Sequence, residues 1–148
     1  MSIMNHVKII RIILGVILSV SGIAKIIDPG KAVNLIMEFR IIPGFMAAII
    51  ITLLPSIEIA TGIFLCTEKY KRLTNCSAVI LFTGFLIISI YGTIIGLNSD
   101  CGCFGSVMES RVGWGMVVRN GVFLGMSLYT SVPVFMAIFL KRKSSADE

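Results

Sequence analysis

Two cysteines stand one residue apart in the stretch Asp100-Cys101-Gly102-Cys103-Phe104-Gly105-Ser106. A disulfide needs Cα atoms about 4.4–6.8 Å apart. Residues i and i+2 meet that when the chain bends, and Gly102 lets it bend. Such a bond closes a small, strained ring. Strained, exposed disulfides are the readily reduced ones, and they serve in exchange chemistry. Arg111 and Arg119 favour a thiolate here, whereas Asp100 opposes one. Two other uses remain open. The pair can be a structural disulfide or idle thiols, or it can bind a soft ion such as Cu(I). A closed zinc site wants four ligands. The sole histidine, His6, is far away in the chain, and Asp100 and Glu109 are the only nearby carboxylates, so zinc is not expected.

Glu58 is the second residue with chemical potential. It lies well inside an apolar run. An acid at the centre of a membrane helix costs about 2.5–3.5 kcal/mol on the insertion scale. It must be protonated, paired, or facing a cavity. Lys25 and Arg119 are its candidate partners, and either a proton or quinone site or a structural ion pair would explain it. One geometric difficulty stands: Glu58 is fifteen residues beyond Pro43, about 22 Å along an ideal helix. Lys25 and Arg119 belong near the outer end, so contact requires a tilted or shifted second helix, or a long side chain reaching inward. Trp114, Arg119 and Asn120 open the last apolar run. Trp114 suits a membrane interface, and Arg119 with Asn120 is placed to steady the cysteine segment from below.

The elements that hold these residues are apolar. The chain has 148 residues, 56% hydrophobic and 14% charged, against roughly 25% charged in soluble domains. That composition indicates one integral membrane domain, residues 1–148, with the lipid bilayer as its surroundings. A spanning helix needs about 20 mostly apolar residues. Four segments meet this: Val7 to Ile27, Pro43 to Cys66, Leu73 to Leu97 and Gly113 to Leu140. The expected fold is all-α, a bundle of four transmembrane helices. Met1 to Arg11 is weakly basic, and a signal peptide with Ser19 and Ser21 near its cleavage site is the alternative to a retained first helix. The run is long enough to span, so it is read as a helix.

Asp28-Pro29-Gly30 is a turn signal. Val33, Ile36 and Met37 then share a face within Lys31 to Arg40. This suggests a short interfacial helix between helices 1 and 2, with an ordered loop as the alternative. Thr67 to Arg72 is a tight charged turn, flanked by Cys66 and Cys76, which are expected to be reduced and to behave as small hydrophobes. Gly15, Ser19 and Gly22 share a face of the first helix. Gly92-x-x-x-Gly96 and Gly121-x-x-x-Gly125 lie in the third and fourth. Small residues at this spacing let helices approach closely in lipid. They close the bundle internally or form a homodimer seam, and the internal role is expected because three helices carry them. Pro55 and Pro133 fall inside helices and are expected to bend them.

The net charge is +5, but the bases flank apolar runs and are not interleaved with aromatics on a polar face. Nucleic acid is therefore not an expected partner. Lys8, Arg11, Lys69, Lys71, Arg72, Lys141, Arg142 and Lys143 fall on one side of the membrane, against Lys25, Lys31, Arg40, Arg111 and Arg119 on the other. The richer side should be cytoplasmic. Both termini are then inside a bacterial inner membrane, and Cys101 and Cys103 face the oxidising periplasm, where such a pair can cycle.

These residues also carry a resemblance. Gly22-x-x-Lys25 with Asp28-Pro29, Pro55-x-x-Glu58, the DCGCFG segment, Trp114 and Arg119-Asn120 together resemble the MauE family of methylamine utilisation membrane proteins, related to DoxX-like proteins. The resemblance spans nearly the whole chain. It implies a four-helix membrane protein with a thiol-redox association, working with a periplasmic thioredoxin-like protein or a maturing client. Its named member is linked to maturation of methylamine dehydrogenase, whose small subunit needs many disulfides. On that footing Cys101 and Cys103 are the redox pair, and Lys25, Glu58 and Arg119 are matching polar positions. Methylamine as a substrate does not follow. The expected activity is thiol–disulfide exchange, with a membrane quinone as onward electron acceptor. A non-catalytic assembly factor and a Cu(I)-handling protein are the rivals.

Overall fold

A computed structural model describes residues 2–30, 33–34, 44–96 and 113–144. Four helices account for most of them: α1 (Ser2–Ile27), α2 (Gly44–Thr67), α3 (Lys71–Ile94) and α4 (Trp114–Ser144). Among the described residues, Asn5–Ile27, Ala48–Thr67 and Lys71–Ile94 are long and apolar enough to cross a membrane. The protein is an all-α membrane protein. The expected helix boundaries hold to within five residues, α1 starting five residues earlier and α4 running four residues further than the sequence pattern suggests. Of the interfacial segment, Gly30, Val33 and Asn34 are helical, and the Val33 N–H donates to the Pro29 carbonyl at 2.9 Å. The rest of that segment, and Asp100, Cys101, Cys103 and Arg111, lie outside the described residues.

α1 stops where its sequence changes. Asp28 donates the last helical bond, to Ala24 O at 3.0 Å. Pro29 then offers no N–H and disfavours a helical Asp28. One face of α1 is buried, at Arg11, Leu14, Leu18, Ser21 and Lys25. These positions recur every three or four residues, the spacing of an inward helical stripe. Val16, Val20, Ile23 and Ile27 face outward and are exposed, as apolar side chains in lipid would be.

α1 and α2 form one antiparallel pair and α3 and α4 another. Glycine sets the first pair's separation. A Cβ on Gly15 would lie 2.7 Å from Gly62 O and 2.6 Å from Cys66 Sγ. A Cβ on Gly22 would lie 2.7 Å from Pro55 O, and one on Gly62 would lie 2.6 Å from Gly15 O. The backbones touch directly, as small residues permit. Pro55 thus faces the seam, its carbonyl against Gly22. In the second pair, Asn75 Nδ2 donates to Thr130 O at 3.0 Å, and Phe82 meets Phe123 at 5.7 Å between ring centroids. The two pairs join through a core of Leu14, Leu18, Leu65, Ala78, Leu81 and Phe82.

The glycines of α4 play no such part. A Cβ on Gly121 or Gly125 would meet nothing within 4 Å among the described residues, and the same holds for Gly96. Among the described residues the expected internal role is seen at Gly15, Ser19, Gly22 and Gly62, and Gly92 is buried as well. Gly62 was missed because it lacks a partner glycine four residues away in its own helix.

The turn between α2 and α3 holds Glu68 and Tyr70 at φ 56° and 49°, both left-handed. Glu68 bridges the helix ends, 3.2 Å from Lys71 Nζ and 3.7 Å from Lys8 Nζ. The hydrogen bond from Lys71 is the main reason its carboxyl sits below the ordinary value; burial opposes this, and the charges of Lys71, Lys8 and Arg11 add to the lowering. A depressed carboxylate stabilises the fold above its unfolded pKa, and the contribution disappears as pH falls through the folded one. Glu68→Gln should therefore cost under about 1 kcal/mol at pH 7, the scale of a surface pair. Melting curves of the two proteins should converge as pH falls through the depressed carboxyl's folded pKa; a difference that persists in acid would show that the bridge is not its source. Cys66 and Cys76 near this turn are free thiols. Cys66 is half-buried and donates to Ile12 O at 3.8 Å. Cys76 faces outward, not into the bundle.

Candidate functional site: a buried lysine–glutamate layer

The helix order puts Ile27, Gly44, Ile94 and Trp114 at the end of the bundle opposite the Glu68 turn. One to two helical turns inside that end lies a polar layer. Lys25 Nζ donates to Glu58 Oε1 and Oε2, each at 2.8 Å, and to Ser21 Oγ at 2.8 Å. Ser21 also hydrogen-bonds Glu58. All three donors of the ammonium are thereby used. Its charge lies 4.8 Å from the centre of the Phe85 ring, within cation–π range. Glu58 is 0% exposed and Lys25 6%.

The α1–α2 seam builds this pair. Gly22 admits the α2 backbone at Pro55, and Glu58 Cβ would lie 3.2 Å from a Cβ on Gly22. Glu58 is one turn past Pro55, and Lys25 is one turn past Ser21. The Lys25 side chain reaches back along α1 toward Ser21 to meet Glu58. The depth problem posed by the sequence disappears for the same reason. With Pro55 opposite Gly22, the first turns of α2 extend beyond the end of α1. Glu58 is thus about 21 Å from the start of its own helix, yet it lies beside Gly22, one turn inside Lys25 near the end of α1. A shift of α2 along α1 and the inward reach of the long Lys25 side chain together achieve the contact.

A second polar group sits on the neighbouring pair. Asn120 Nδ2 donates to Ser89 Oγ at 2.6 Å and to Phe85 O at 3.4 Å. Ser89 Oγ in turn donates to Phe85 O at 2.6 Å. Phe85 therefore serves both groups, its ring under Lys25 and its carbonyl under Asn120. Between them is a cavity of about 10 Å³ bordered by Ser21, Phe85 and Asn120 on its polar side and by Leu18, Phe82 and Phe123 elsewhere. That volume is near the minimum for one water.

Of the polar residues singled out from sequence, Lys25 and Glu58 come together, and Asn120 joins the adjoining group. Asn120 spends its amide on α3. Arg119 is half-buried, and Trp114 is 75% exposed at the head of α4. Ser21, Phe85 and Ser89 escaped the sequence reading. Ser21 was legible as the residue one turn before Lys25 on the inward stripe. Phe85 carries no signal, being one aromatic in a long apolar run.

The family model for "Methylamine utilisation protein MauE" matches residues 3–133. The chain belongs to the MauE family. The match takes in α2 and α3, nearly all of α1, α4 as far as Pro133, and both halves of the Lys25–Glu58 pair. Curated MauE relatives agree. The "Methylamine utilization protein MauE" of Methylophilus methylotrophus is 29% identical over 117 residues, covering 78% of this chain and 62% of that protein. The protein of the same name from Paracoccus denitrificans is 24% identical, covering 84% and 68%, and that from Paracoccus versutus is 24% identical, covering 80% and 64%. The chain spans about two thirds of the length of these MauE relatives. No solved structure matches it.

Proposed function

We propose that this MauE-family membrane protein exchanges disulfides through Cys101 and Cys103. The topology supports this reading. The DCGCFG segment joins α3 to α4, and Ile94 and Trp114 lie at the end of the bundle closed by the Lys25–Glu58 layer. The paired Lys25 and Glu58 brace the end of the bundle at which the two flanking helices terminate. The lysine and arginine balance supports a periplasmic setting for that end and cytoplasmic termini.

The chemistry runs in two steps. A thiolate of Cys101 or Cys103 attacks one sulfur of a partner disulfide. The S–S bond breaks, a mixed disulfide forms, and the partner's other sulfur leaves as a thiolate. The second cysteine, as thiolate, then attacks its neighbour's sulfur. The Cys101–Cys103 disulfide closes, and the partner departs with both sulfurs reduced. Two electrons pass to the partner. Run in reverse, the same steps oxidise a dithiol client. The partner is a thioredoxin-like protein or a maturing client, and methylamine utilisation is the setting that the relatives' names suggest. A membrane quinone is the natural acceptor for any onward transfer of electrons. The sealed geometry of Glu58 favours a structural ion pair over a proton carrier.

The experiment is a trap. Cys103→Ser and Cys101→Ser variants, expressed in cells and quenched with acid, should reveal a mixed disulfide with a partner in at least one case. Exchange should fall by at least about a hundredfold, because the resolving thiolate is gone. Full activity in both variants with no trapped partner would leave a non-catalytic assembly factor, and stoichiometric Cu(I) binding by the reduced protein with no exchange would leave a metal carrier.

A further inference from the structure

A second polar layer lies at the opposite end of the bundle. Arg11 is 3% exposed, on the inward stripe one turn before Leu14. Asn75 is 1% exposed, one turn before Ala78. Leu14 and Ala78 share the apolar core, so Arg11 and Asn75 sit at one level, on the side of the Glu68 turn. Asn75 holds α4 there through Thr130 O at 3.0 Å, and Ser127, 1% exposed, is on the adjoining turn of α4. The apolar core separates this layer from Lys25 and Glu58.

The two layers differ in one respect. Lys25 has every donor occupied. In the Arg11 layer, Arg11 Nε and Nη2 and Asn75 Oδ1 lack a hydrogen-bond partner among the described residues, as does Ser127 Oγ one turn further into the core. The nearby acid does not supply one, since Glu68 is turned to Lys71 and Lys8 at the surface. A buried guanidinium edge with no acceptor is unfavourable. Nε and Nη2 form one edge of the guanidinium, which matches two oxygens of a single oxyanion. Ser127 offers a hydroxyl donor. Asn75 Oδ1 needs a donor in return, which a P–OH group or a headgroup hydroxyl provides. Lys8, Lys69, Lys71 and Arg72 are exposed around the same end and draw anions towards it.

We infer that the Arg11–Asn75–Ser127 layer binds a phosphate oxyanion that also carries a hydrogen-bond donor. Inorganic phosphate and an anionic phospholipid headgroup share that chemistry. The test is independent of the cysteines. Thermal stability of the purified full chain is measured in detergent against inorganic phosphate, and in nanodiscs of phosphatidylcholine with and without phosphatidylglycerol. Stabilisation by phosphate identifies the soluble ion, and stabilisation by phosphatidylglycerol alone identifies the headgroup. Arg11→Met should weaken the effective arm about tenfold or more, the scale of a charged hydrogen-bonded pair. Arg11→Lys, which keeps the charge but loses the flat edge, should weaken it as well and serves if Arg11→Met does not fold. Lys8→Met makes the same charge change at an exposed site and should alter affinity less than twofold. The inference is overturned if the wild-type chain responds in neither arm, if Arg11→Lys binds as well as wild type, or if Lys8→Met loses as much as the Arg11 variants.

Discussion

Glu58→Leu is expected to destabilise the bundle by about 3–5 kcal/mol, the cost of orphaning one member of a buried ion pair. The Lys25 ammonium would keep its bond to Ser21 Oγ and its place over the Phe85 ring, but it would face an apolar side chain where the carboxylate had been. Lys25→Met should cost a similar amount, because Glu58 is fully buried and both of its oxygens lean on Lys25. The double variant Lys25→Met/Glu58→Leu should recover most of the loss, since no charge then remains to be desolvated. Reversible unfolding in bicelles across the double-mutant cycle measures this. Additive losses would mean that the two side chains do not depend on each other and would remove the pair as the organiser of this layer.

The second large effect comes from the α1–α2 seam. Gly62→Ala removes the conformational freedom of glycine and by helix propensity alone should gain up to about 1 kcal/mol. The new methyl, however, would meet Gly15 O at 2.6 Å and Ser19 N at 2.9 Å. These are backbone atoms, which cannot move aside as a side-chain tip can. A net loss of about 1–3 kcal/mol is expected from the forced separation. Gly125→Ala is the matched control. Its Cβ meets nothing within 4 Å among the described residues, so the propensity gain should stand and the variant should be neutral or more stable. The opposite signs are the test. Equal responses at Gly62 and Gly125 would show that close approach at the seam does not govern packing.

The two effects are coupled. Gly22 lets Pro55 O approach α1, and that approach brings Glu58 to Lys25. A methyl on Gly22 should therefore disturb both the seam and the ion pair, whereas a change at Gly125 should disturb neither.

Composition and the length of the apolar runs determined the all-α membrane class, because a bilayer leaves a spanning chain little choice but to satisfy its backbone within helices. The stops at Asp28-Pro29 and at the charged Glu68 turn were equally legible, since proline and clustered charge act locally. Glu58 announced itself as a residue in need of a partner, and Lys25 was one of its two candidates. Tertiary structure decided the rest. The slide of α2 along α1 follows from where glycine allows backbones to touch, and no single segment encodes it. That slide selected Lys25 for Glu58. The placement of Phe85 and Ser89 beside this pair, and of Arg11 level with Asn75, likewise depends on how one helix pair meets the other. Those are contacts between residues far apart in the chain, and local periodicity says which face is inward but not what it will meet.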